Sequence, residues 1–73
     1  MTGAIATLKT GYGFIEDANG TRYFFLASAL DSFGPKFHEL GLGEVVEFTP
    51  IYGPKGPRAI EVRVVDVGHT TAG

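Results

Sequence analysis

Residues 12–26 read Tyr12-Gly13-Phe14-Ile15-Glu16-Asp17-Ala18-Asn19-Gly20-Thr21-Arg22-Tyr23-Phe24-Phe25-Leu26. Two runs rich in aromatic and β-branched residues, 12–16 and 22–26, flank a turn at Asp17-Ala18-Asn19-Gly20. Asn-Gly tolerates the positive φ angles of a tight reversal, so the two runs read as the strands of one hairpin. Successive side chains of a strand point to opposite faces. Tyr12 and Phe14 therefore share one face of the first run, with Ile15 on the other. In the second run Tyr23 and Phe25 share one face, and Phe24 and Leu26 the opposite one. A barrel made by so short a chain cannot enclose rings from both faces of both strands. Alternation leaves two arrangements open for Tyr12, Phe14 and Phe24. They form a solvent-facing apolar patch, of the kind that marks a binding site, or they are covered by the long loop, with Phe33 and Phe37 as lids.

The same strand-like pattern extends on both sides, and helical periodicity is nowhere sustained. Residues 3–9, 44–52 and 58–67 complete a set of five predicted strands. In the fourth, Val46 and Phe48 are assigned to the core and Glu47 to solvent; in the fifth, Ile60, Val62 and Val64 are assigned to the core and Glu61 and Arg63 to solvent. Pro50 cannot donate to a ladder, so its end of the fourth strand is an edge or a bulge. Residues 53–57, Gly-Pro-Lys-Gly-Pro, form a tight loop. The irregular stretch 27–43 is predicted to hold helical turns near 28–31 and 36–40, the first capped by Ser28. The fold class is all-β, with one domain over residues 1–67 and a flexible tail over 68–73.

Composition narrows the functions. The chain has 73 residues and no cysteine, which removes disulfide staples and thiolate metal sites. No basic segment precedes a long apolar run, as a signal peptide requires, and no stretch approaches the ~20 apolar residues of a membrane helix. A cytoplasmic location without membrane partners is expected. Six Lys and Arg stand against eight Asp and Glu, a net charge of −2. A protein that binds polyanions chiefly by neutralising phosphates is basic. Any nucleic-acid affinity here must come largely from stacking, and the positions of the six cations matter more than their sum.

Thr10-Gly11-Tyr12-Gly13-Phe14-Ile15 resembles the first ribonucleoprotein motif of the cold-shock domain family, Lys-Gly-Phe/Tyr-Gly-Phe-Ile. Tyr23-Phe24-Phe25-Leu26 sits where that family's second motif, Val-Phe-Val-His, would lie, and Ser28-Ala29-Leu30 is similar to the Ser-Ala-Ile that follows it. Residues 43–48, Gly-Glu-Val-Val-Glu-Phe, resemble the family's Gly-x-x-Val-x-Phe strand, and residues 53–59, Gly-Pro-Lys-Gly-Pro-Arg-Ala, its Gly-Pro-Lys-Gly-Pro-x-Ala loop. The motifs occur in order at compatible spacings over most of the chain. The resemblance implies a five-stranded antiparallel Greek-key β-barrel of the OB type that binds single-stranded RNA or DNA. It assigns base stacking to Tyr12, Phe14 and Phe24, with Phe37 as a loop aromatic that contributes, and it places Lys9, Lys55 and Arg58 near loops that border that face. A monomer is expected, although such barrels also exchange strands into dimers. Departures are present: Ala6-Thr7-Leu8 replaces a Lys-Trp-Phe, Leu26 stands at the second motif's His, Ala27 at the aromatic after it, and Thr10 at the basic residue opening the first motif.

No constellation supports catalysis, a cofactor or a metal. Gly11-x-Gly13 would need its third glycine at position 16, which is Glu16, and a following helix. The Gly53-Pro54-Lys55-Gly56 loop lacks the Gly-Lys-Ser/Thr of a phosphate loop. His38-Glu39 and the distant His69 lack ligand spacing. Glu16 and Asp17 read as a solvated hairpin tip rather than a catalytic pair. The expected function is weak, sequence-tolerant single-strand binding of an RNA-chaperone kind. Four stacks at about 1–3 kcal/mol each give roughly 4–12 kcal/mol gross, and ordering the strand reduces this to micromolar affinity or weaker. The competing expectation, favoured by the acidic balance, Leu26, Ala27 and the missing Trp, is a diverged barrel that binds a protein partner.

Overall fold

The computed structural model describes residues 1–32 and 34–65. Its strands are β1 (Thr2–Leu8), β2 (Tyr12–Glu16), β3 (Arg22–Leu26), β4 (Val45–Gly53) and β5 (Gly56–Val64). They close into one barrel in the order β1-β2-β3-β5-β4. Neighbours run antiparallel except β3 and β5, which meet in parallel at Phe24 and Arg58. The expected all-β, five-stranded Greek-key barrel is therefore present. The tail over 68–73 and the predicted end of the fifth strand at 66–67 lie outside the described residues. Two 3₁₀ turns, Ala27–Ala29 and Phe37–Glu39, occupy the stretch between β3 and β4. The expected cap is corrected: Ser28 lies inside the first turn, Leu26 takes the N-cap position, and no side chain caps it.

The hairpin β2–β3 has unbroken register, with Tyr12 opposite Leu26, Phe14 opposite Phe24 and Glu16 opposite Arg22. Alternation then works as the pattern predicts. Ile15, Tyr23 and Phe25 turn inward and are buried with Ile5, Leu40, Val46, Phe48, Ala59 and Val62. Burying a ring or branched side chain of this size contributes about 1.5–3 kcal/mol, so Tyr23 and Phe25 are major anchors. Their burial forces Phe24, between them in sequence, to the outer surface.

In β5 the predicted alternation holds from Glu61 to Val64 and fails at Ile60. Thr49 faces Ile60 but Glu47 faces Arg63, so three steps on β5 match two on β4. The extra residue makes a bulge at Glu61, whose φ of 52° lies in the left-handed region. As a result Ala59 and Val62 both face the core, and Ile60, assigned inward from the sequence, is only half-buried. The Glu61 carboxylate accepts a hydrogen bond from Thr49 Oγ1 at 2.9 Å, which ties the bulge to β4. A second irregularity, between Ile5 and Thr7 of β1, brings Thr7 opposite Phe14.

Gly13 is buried under this hairpin. A Cβ there would lie 2.6 Å from the Thr7 carbonyl oxygen and 2.9 Å from the edge of the Phe25 ring. Neither neighbour can retreat without disturbing the β1–β2 ladder or the core. Gly13→Ala is expected to destabilise the barrel by about 1–3 kcal/mol through overpacking, read as a lower urea midpoint at unchanged slope.

Asp17 is more than the solvated tip the sequence suggests. Its Oδ1 accepts from the amides of Asn19 and Thr21, each at 2.9 Å, and its Oδ2 accepts from the Tyr23 hydroxyl at 2.9 Å. Burial works against the charge, but the bonds from Thr21, Tyr23 and Asn19 outweigh it and hold the carboxyl below its ordinary 3.8. The Tyr52 hydroxyl, burial and Asp17 in turn hold the Tyr23 phenol above its usual range. A carboxyl depressed in the folded state adds stability above its unfolded pKa, and that stability is lost as pH falls through the folded value. Asp17→Ala is expected to lower the melting temperature at neutral pH, and its gap from wild type should narrow below about pH 4. A melting series across that range checks this; a gap that stays constant would exclude the charge as the cause.

Candidate nucleic-acid interface

The outer face of β2–β3 carries the rings. Phe14 and Phe24 are cross-strand partners, and Tyr12 stands one pleat along the same face. Ring centroids are 5.5 Å apart for Tyr12 and Phe24, 5.7 Å for Phe14 and Phe24, and 6.3 Å for Tyr12 and Phe14. These are favourable aromatic separations, with two pairs close to edge-to-face. Tyr12 is 36 % exposed and Leu26, its cross-strand neighbour, 41 %. Phe14 and Phe24 are half-buried, with their rings in contact and Phe24 beside Arg58 of β5. At its far end the patch stops at the exposed ion pair of Arg22 and Glu16, 3.3 Å apart.

The rings border a groove of about 410 Å³ lined by Phe14, Phe24, Lys55, Pro57 and Arg58. The parallel meeting of β3 and β5 sets Arg58 beside Phe24. Its guanidinium carbon lies 5.6 Å from the Phe24 ring centre, within cation–π range. Lys55 reaches the groove from the β4–β5 loop. Lys9 is exposed in the turn that leads into β2, where its amide donates to the Tyr12 carbonyl at 2.8 Å.

Of the seven residues expected at the site, Tyr12, Phe14, Phe24, Lys55 and Arg58 are brought together, and Lys9 stands in the adjoining turn. Phe37 is not among the mutually contacting rings: its centroid lies 6.0 Å from that of Phe25, and it packs against the core. Of the two lids considered, Phe37 therefore lies against the barrel core, and Phe33 is outside the described residues. Pro57 lines the groove and was not singled out from the sequence; its place follows from the β4–β5 hairpin, where it pairs with Tyr52.

A larger concavity, about 590 Å³, lies elsewhere and shares no residue with the groove. It is lined by Asp31, Glu47 and Glu61 beside Arg63, and the Arg63 guanidinium is paired with Glu47. Three carboxylates outnumber the two cations there, the paired Arg63 guanidinium and the Met1 ammonium, and make a poor seat for a polyanion. The described residues contain no cluster of three or more metal-ligating side chains, and no described helix is long and apolar enough to cross a membrane.

Comparison with known proteins bears on the family and the fold. Residues 1–65 match the family model described as the 'Cold-shock' DNA-binding domain. The chain is 45 % identical over 58 residues to a cold shock-like protein of Thermotoga maritima, a match covering 80 % of this chain and 85 % of that protein. Among solved structures it superposes on Drosophila Unr CSD456 with a TM-score of 0.67 at 28 % identity, over 90 % of this chain. It spans about a quarter of that structure's length, 26 %. With the barrel, the motifs and the family model in agreement, the chain belongs to the cold-shock domain family, whose members bind nucleic acids.

Proposed function

We propose that this barrel binds single-stranded RNA or DNA by stacking unpaired bases on Tyr12, Phe14 and Phe24, without catalysing a reaction. The observation that carries the reading is the contiguous ring cluster on the outer face of β2–β3, beside a groove that holds Lys55 and Arg58. Stacking tolerates any base because every base has a π-face, and the cations track the phosphates. Lys9 extends the basic border at the β1–β2 turn, and Phe37 offers a half-buried ring apart from the platform. The protein acts as a monomer that keeps weakly structured strands open, since a base held on a ring is unavailable for pairing. Family membership supports the nucleic-acid partner, and the local concentration of cations answers the net negative charge.

Phe24→Ala or Tyr12→Ala should weaken binding of labelled oligo-U or oligo-dT by about 1–3 kcal/mol with the fold retained. Unchanged affinity in both variants would exclude stacking even where binding occurs, and no binding by the wild type at millimolar protein would favour a protein partner. Three cations predict a log–log salt slope no steeper than about −2. Lys55→Ala should make that slope shallower by about 0.7. A much steeper wild-type slope would mean that phosphate contacts, rather than rings, drive the affinity.

A further inference from the structure

Register places a lateral row across the outer surface: Phe14 faces Phe24, Phe24 faces Arg58, and Arg58 faces Ile51 of β4. Residues in register on neighbouring strands point to the same side, and each step spans about 4.8 Å. Ile51 therefore lies roughly 10 Å from Phe24, with Arg58 between them. Beyond Arg58 a second concavity of about 340 Å³ opens among Ile51, Tyr52, Pro54, Lys55 and Arg58. It shares Lys55 and Arg58 with the groove beside Phe14 and Phe24. Its apolar walls are uncovered, with Tyr52 68 % and Ile51 40 % exposed.

We propose that this second concavity is a further nucleotide subsite, so that a single strand lying on the rings continues across β5 onto β4. The inference rests on the reading of the ring face given above and extends it to residues outside that face. Three observations favour a nucleic-acid strand as the occupant. First, the two cations stand between two apolar seats, the order in which a strand presents base, phosphate and base. Second, the new seat is continuous with the groove of the ring face rather than isolated from it. Third, Arg58 Nε is buried without a hydrogen-bond partner. The guanidinium is a permanently charged group at the junction of the seats; with Nε enclosed, its terminal nitrogens are the donors that an anionic or sugar oxygen would meet. Tyr52 is held ready: its hydroxyl lies 3.2 Å from that of Tyr23 and its ring packs edge-on to Tyr23 at 6.2 Å. A ring already ordered loses less freedom when a base stacks on it.

The test compares a trinucleotide with a heptanucleotide of oligo-dT, titrated against the wild type and the double variant Ile51→Ala/Tyr52→Ala. The wild type should bind the longer strand more tightly. The variant should match the wild type on the trinucleotide and lose about tenfold on the heptanucleotide. Tyr52→Phe, which keeps the ring but loses the hydroxyl contact to Tyr23, should fall between the wild type and the double variant on the heptanucleotide. Equal heptanucleotide affinity in variant and wild type would overturn the proposal, as would an equal loss on both lengths, which reports a disturbed barrel. A change in the sedimentation of the free protein in the variant would overturn it too, because it would identify the patch as a contact between copies of this chain. If the wild type binds neither length, or Phe24→Ala leaves the trinucleotide affinity unchanged, the ring-face reading fails first and the extension goes with it.

Discussion

The structure depends on a limit of interior volume. Ile15, Tyr23 and Phe25 fill their share of the barrel together with Val46, Phe48 and Val62, at the close packing that protein interiors require. The pleat then leaves Tyr12, Phe14 and Phe24 no side but the outer one. The surface cluster follows from the packing of the interior, and the two faces of one hairpin hold separate roles. Tyr23 and Phe25 stabilise the barrel, and Phe24 between them faces out. Cross-strand contact among the outer rings fixes their mutual angles, so a ligand meets a surface that is already organised.

Charge is distributed to the same effect. A net −2 suggests a protein hostile to polyanions, yet the carboxylates of Asp31, Glu47 and Glu61 gather at a concavity separate from the rings. Lys55 and Arg58 gather at the rings themselves. With a Debye length of about 8 Å at physiological salt, local composition counts for more than the total.

The hairpin β2–β3 was legible in full, because its alternation is unbroken and Asn19-Gly20 announces the reversal. Its outer rings, and Lys55 and Arg58 beside them, were legible through motif resemblance. What the sequence hid has physical reasons. The bulge at Glu61 is invisible to a period of two, since any residue can be the extra one, and it misassigned Ile60. The contact of Arg58 with Phe24 arises from barrel closure between strands distant in the chain, and local pattern does not report closure. Phe37 lies in irregular chain, where no periodicity fixes the direction of a side chain, and it leans on Phe25. Asp17 looked like a solvent-exposed acid because its main partners are backbone amides, which every sequence contains.

The extra residue in β5 also divides that strand into two segments of opposite phase. Before it, even-numbered Arg58 looks outward and odd-numbered Ala59 inward; after it, even-numbered Val62 looks inward and odd-numbered Arg63 outward. A strictly regular strand could not place both Arg58 outside and Val62 inside. Glu61 thus acts as a phase shifter between the half of β5 that borders the rings and the half that seals the barrel. Shortening the strand there by a single residue would leave the amino acids of both halves unchanged yet set them at odds, with either the guanidinium driven into hydrocarbon or the valine stranded in water.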